Sequence, residues 1–232
     1  MTVDPFALDQ AAAAARLEAR RLAAARLEDG MPLTGYLQPL QNLTAAIVAA
    51  ASTASRLADI AVLAIIDPEV GANADQALKR AERRAHLAGN QSSHAFSEIR
   101  RALQTSGLAM PNLGGLERLR RYKTTADAVA NLSAETEKAI RSDPPLALRF
   151  IEDPATNLAD VLKQLGLAAG KLRAGVDGAY AHLPPGSRAK ARRATDRITQ
   201  SGDDLNTASG HVSRAAGIIS DALASQRKMA TW

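Results

Sequence analysis

Apolar residues recur along the chain at spacings of three and four, and this pattern predicts helix almost throughout. The clearest run covers residues 36–66. There Tyr36, Leu43, Ala50, Leu57 and Ala64 repeat every seven residues, with Leu40, Ile47, Ala54 and Ala61 as the companion series. Positions three and four apart share one side of an α-helix, so this is a seam sustained for about four heptads. Ile65, Ile66, Asp67 and Pro68 close it, because proline lacks an N–H and disfavours helix at the residue before it.

A second seam follows, with Asn73 as a plausible cap. Ala74, Ala81, Ala88, Ala95 and Ala102 repeat at seven beside Leu78, Ala85, Ser92, Ile99 and Ser106. Two long helices joined by so short a link are expected to pack as an antiparallel hairpin. Residues 107–115, with Pro111 and a Gly-Gly pair, read as a linker, and residues 116–140 as helix again. Asp143-Pro144-Pro145 and Asp153-Pro154 read as breaks around a short apolar piece at 146–151. The next helix, near 158–182, repeats Leu158, Leu165, Leu172 and Ala179 beside Val161, Ala168 and Val176, with Asn157 or Asp153 as its cap. Gly166, Gly170, Gly175 and Gly178 mark either close helix approach or fraying. After Leu183-Pro184-Pro185-Gly186, a last helix runs from about 187 to 230. It carries Ile198, Leu205, Val212 and Ile219 beside Ala194, Ser201, Ala208, Ala215 and Ala222.

The expected fold is all-α: long antiparallel helices with heptad-like Leu/Ala seams, forming a bundle or a coiled-coil-like assembly. Three parts are distinguished: an Ala/Arg-rich helix or arm at 1–35, a long hairpin at 36–110, and further helices at 111–232 that complete the bundle. All three together are also compatible with a single domain. The arm rests on strong helix formers at 9–28, stopped by Gly30 and Pro32.

Composition sharpens this picture. Apolar residues make up 46% of 232 positions but aromatics only 3%, and 50 residues are alanine, which argues against a β-sandwich or barrel. The absence of cysteine removes disulfides and thiolate metal centres. The start is acidic, and its alanine run is interrupted by Arg16, Glu18, Arg20 and Arg21, unlike a secretory signal. Arg56 and Asp59 interrupt the most apolar stretch, 43–66, so it is expected to be a buried helix and not a membrane span. A cytoplasmic location is the resulting expectation.

Candidate chemistry is sparse. His86 and His94 lie two turns apart, His182 and His211 lie elsewhere, and no HExxH or Glu-x-x-His motif occurs. The glycines build neither a P-loop nor a GxGxxG turn, and no GxSxG is present. No metal, cofactor or small-molecule substrate is therefore expected, and catalysis is not the favoured reading.

Two other features remain. Lys79, Arg80, Arg83 and Arg84 form one cluster, and Arg188, Lys190, Arg192, Arg193 and Arg197 another, within a net charge of +5. Either they are solvated surface or they contact the phosphates of duplex DNA. No aromatics flank them, which disfavours base stacking on single strands. The seams themselves offer Leu40, Leu43, Ile47, Leu57, Leu205, Val212 and Ile219 as a helix–helix interface. Val62, Leu63, Ile65 and Ile66, and likewise Ile218 with Ile219, are more apolar than one seam requires. The leading expectation is a noncatalytic module that binds a protein partner, or itself as a dimer or higher oligomer, through apolar helix faces. A DNA-associated accessory protein is the alternative. Trp232 either packs back on the bundle or joins a contact.

Overall fold

The computed structural model describes residues 31–113 and 144–229. Four long helices account for most of them: α1 (Leu37–Ala64), α2 (Pro68–Thr105), α3 (Pro144–Tyr180) and α4 (Pro185–Met229). A single 3-10 turn, Leu33–Tyr36, leads into α1, and no strand occurs among the described residues. The fold is an all-α bundle. The arm expected over most of 1–35, the helix expected at 116–140, and Trp232 lie outside the described residues.

Every seven-residue series read above faces inward. In α1 the residues Leu40, Leu43, Ile47, Ala54, Leu57, Ala61 and Ala64 are fully buried, as are Ala74, Ala81, Ala88, Ala95 and Ala102 in α2. Leu165, Leu172 and Val176 in α3, and Leu205, Ala208, Val212 and Ile219 in α4, join them in one continuous core. Burying such a stripe is what holds long helices together, since each contributes area that water would otherwise cover.

The chain goes around the bundle in the order α1, α2, α4, α3, each helix packing on its two neighbours in that ring. Cross-helix pairs establish the directions. Thr44 pairs with Ser92, and their hydroxyls lie 2.7 Å apart. Arg84 meets Asp204 while Lys190 meets Thr105, so α2 and α4 are antiparallel. Ser209 donates to the Ala159 carbonyl, and Gly166 sits against Gly202, which makes α3 and α4 antiparallel. The helices therefore run up, down, down and up. Residues 106–143 link the end of α2 to the start of α3 at the opposite end of the bundle.

Local chemistry sets the ends. Ile65 turns extended, and Asp67 caps α2 by accepting from the N–H groups of Glu69 (2.9 Å) and Val70 (3.2 Å), with Pro68 in the first helical position. The cap is thus Asp67, and Asn73 lies inside the helix, one turn later than its N-terminus. Gly107 ends α2 with φ +67, while Leu108 N–H reaches the Leu103 carbonyl at 3.1 Å. This is a Schellman closure, and its left-handed position suits glycine.

Two expectations about α3 change. Asp153-Pro154 does not break it: the helix is continuous from Pro144, with Pro154 inside. Proline removes one helical hydrogen bond at a cost of about 3 kcal/mol. Ile151, Ala155, Leu158 and Leu162 around it are buried, and their packing outweighs that local penalty. The glycines, in turn, do not act alike. Gly175 faces the ring of the buried Tyr36, where a Cβ would overlap the ring. Gly166 and Gly202 let α3 and α4 approach closely, whereas Gly170 and Gly178 face open space.

Candidate interaction surfaces

The seam between α2 and α4 is lined by small side chains. α2 contributes buried Ala81, Ala85, Ala88 and Ala95, and α4 contributes buried Ala191, Ala194, Ser201 and Ala208. Small residues bring the backbones close enough for Ser201 to donate to the Ala88 carbonyl at 2.9 Å. Longer side chains then reach across the outer edge of the seam. Arg84 pairs with Asp204 at 2.9 Å, Arg197 donates to Gln91 at 2.7 Å, and Arg193 contacts Glu98 at 3.2 Å. Glu98 also holds Arg101 at 3.5 Å.

The two basic clusters read from the sequence are therefore redistributed. Lys79 pairs within α2 with Asp75, one turn earlier, at 3.0 Å, on the side of the helix nearer α1. Its pKa is raised by that hydrogen bond and by the Asp75 charge, with Asp59 of α1 adding to the effect. Arg80 and Arg84 instead face α4. Arg188 donates to the Leu183 carbonyl at 2.6 Å and secures the α3–α4 turn. Lys190 donates to Thr105. Arg83 and Arg192 are exposed and make no ion pair with another described residue.

His211 and Arg214 were not visible in either cluster, yet they join Arg80 and Arg84 across the seam. Partial burial lowers the pKa of His211, and the charges of Arg80, Arg84 and Arg214 lower it further. Only the antiparallel register of α2 on α4 brings these four together, because Arg80 and His211 are distant in the chain. The two flanking segments, 80–105 and 190–214, carry ten Lys and Arg against five Asp and Glu. That excess equals the net charge of the entire chain.

The proposed helix–helix interface is built entirely inside the molecule. Leu40, Leu43, Ile47, Leu57, Leu205, Val212 and Ile219 are all fully buried in the bundle's own core. The apolar surplus lies instead at the α1–α2 turn. Ile65 is buried, but Val62, Leu63 and Ile66 are 46%, 53% and 60% exposed. Leu63 and Ile66 follow Asp59 and Val62 on the outer face of α1 or directly beyond it. At the same end a groove of about 570 Å³ lies between the turn and the end of α4. Ile65, Ile66, Pro68, Val70, Gln226 and Met229 are among its walls, as are Asp67 and Asp221. Met229 is 62% exposed.

Among the described residues, no three His, Asp or Glu side chains come together as a metal cluster. Among the described residues one helical stretch, Leu33–Ala64, is long and apolar enough to cross a membrane by length and composition, and half of its most apolar window is buried in the bundle. No protein-family model, curated protein or solved structure matches the chain.

Proposed function

We propose that this chain is a noncatalytic helical interaction module whose apex, at the α1–α2 turn, receives the apolar face of a helix from a partner protein. The observation that carries this reading is a groove walled by the exposed Ile66 and Met229, with the half-exposed Val62 and Leu63 on the adjoining last turn of α1. Clustered exposed apolar side chains mark interaction sites more often than scattered ones do. The leucines and isoleucines of the seams are already used inside the bundle, and this end joins exposed apolar side chains to a groove.

The size of the apex argues for a single inserted helix over a second bundle. A stable dimer buries about 800 Å² per partner, and a patch of four exposed apolar side chains at this end of the bundle is smaller. An occupant with two or three large apolar side chains on one face matches it by the helix-in-groove mode.

Photocrosslinking from a reactive residue at position 66, in the cell that makes the protein, tests this. A crosslinked partner is expected, and its purified form should bind the chain at least tenfold more weakly after Leu63→Asp with Ile66→Asp. Leu167→Asp, at an exposed leucine on α3, should leave binding unchanged. Crosslinks confined to a second copy would replace the partner with self-association. Crosslinking no stronger than from position 167 would overturn the reading.

A further inference from the structure

The outer edge of the α2–α4 seam is independent of the apex and carries a different chemistry. Arg80, Arg84, His211 and Arg214 converge there, with Asp204 the carboxylate bound to Arg84. Arg197, Arg193 and Lys190 continue the row toward the other end of the bundle. Their partners, Gln91, Glu98 and Thr105, include only one carboxylate. Like charges repel, so the packing of the alanine seam holds these groups closer together than their mutual electrostatics favour.

From residue 190 to residue 214 the row extends along α4 for roughly 36 Å, at about 1.5 Å per residue. One turn of duplex is about 34–36 Å long. We propose that the α2–α4 edge is a binding surface for double-stranded nucleic acid, gripped through its phosphate backbone. Arginine forks match phosphate oxygens in pairs, and the geometry of a straight helix pair lets cations on both helices line the same backbone. Arg80 and Arg214 are exposed at this edge and make no ion pair with another described residue, so they meet phosphates without first releasing a carboxylate. The bound partner is read by shape and charge and not by base sequence, because contacts to phosphate carry no sequence information.

This surface leads to a quantitative expectation. Four phosphate contacts give a slope of log affinity against log salt near −3.6, or roughly a hundredfold loss between 50 and 200 mM salt. The test is fluorescence anisotropy of the full chain with a labelled random-sequence duplex at both salt concentrations. Arg80→Glu with Arg214→Glu is expected to weaken binding at least tenfold on every duplex tried. Arg173→Glu, an exposed position on α3, is expected to leave it within twofold. Circular dichroism verifies folding, and Arg80→Gln with Arg214→Gln serves as the milder pair. No binding at 50 mM salt overturns the proposal. So does equal weakening by Arg173→Glu, which would signify nonspecific attraction to net charge. Competition by polyglutamate as effective as that by unlabelled duplex would also overturn it, and would assign the surface to an acidic protein. None of these outcomes bears on docking at the apex, which is assayed at Leu63 and Ile66.

Discussion

α1 and the α2–α4 seam solve the same packing problem with opposite materials. α1, with the turn before it, contributes Tyr36, Leu37, Leu40, Leu43, Ile47 and Leu57, which are among the largest fully buried side chains described. The α2–α4 seam is mainly alanine, with Ser201 crossing it. Around α1, stability comes from apolar area removed from water. In the seam, each side chain removes little area, but the helices approach closely enough for hydroxyls to reach the opposite backbone and for arginines to span the edge. The comparison shows why charged chemistry gathers on one side of this bundle. Small residues at the contact leave the flanking long side chains facing each other over a short gap, while leucines hold the backbones further apart.

Substitutions separate the two modes. The largest effect is expected from Leu43→Ala or Leu57→Ala, each of which deletes a fully buried side chain and leaves a cavity. A loss of about 2–5 kcal/mol in urea unfolding is expected. In the seam the damaging change is the reverse one. Ala88→Leu inserts three carbons where Ala88 is fully buried against α4, and a loss of about 1–3 kcal/mol is expected from overpacking. Equal tolerance of leucine at Ala88 and at an exposed position would refute the close-packed seam.

Smaller effects refine the comparison. Ser201→Ala removes the hydroxyl that serves the Ala88 carbonyl, itself already bonded within α2, and is expected to cost about 1 kcal/mol. Asp67→Ala removes the α2 cap and is expected to cost about 1 kcal/mol as well, with the loss visible as fraying of the first turn by hydrogen exchange. Arg84→Ala breaks a pair whose arginine is half exposed, and less than about 1 kcal/mol is expected.

The smallest effect is set by pH. His211 has a folded pKa below its ordinary 6.5 because of burial and the three nearby arginines. The unfolded chain therefore takes up the proton first. Stability from this group is complete above about pH 6.5 and declines as pH falls below it, until the folded pKa is reached. The urea midpoint should fall more between pH 7 and pH 5 in the native chain than in His211→Gln, and identical pH profiles would remove the arginine cluster as the cause.

Much of the bundle was legible because periodicity is local. Tyr36, Leu43, Ala50, Leu57 and Ala64 are spaced by the geometry of one helix, and that geometry does not depend on what packs against it. The prolines were harder to read. Pro68 opens a helix and Pro154 sits within one, although both have the same intrinsic stereochemistry. The difference is context: Asp67 supplies a cap at the first, and buried neighbours hold the second in place. The surfaces were the least legible. Lys79 and Arg80 are adjacent in sequence and serve different edges of α2, one facing α1 and the other α4.

The sequence by itself determined that the chain is helical, where most helices end, and which stripe of each helix is apolar. These follow from backbone stereochemistry and from a 3.6-residue period, which act over a few residues. Only the tertiary structure decided the ring order of the helices, the register of α2 on α4, and hence the meeting of Arg80 and Arg84 with His211 and Arg214. It also decided that seven candidate interface residues lie inside while Val62, Leu63 and Ile66 remain outside. Alanine-rich seams are nearly interchangeable as sequence patterns, so the choice among partners falls to volumes and contacts summed over whole helices.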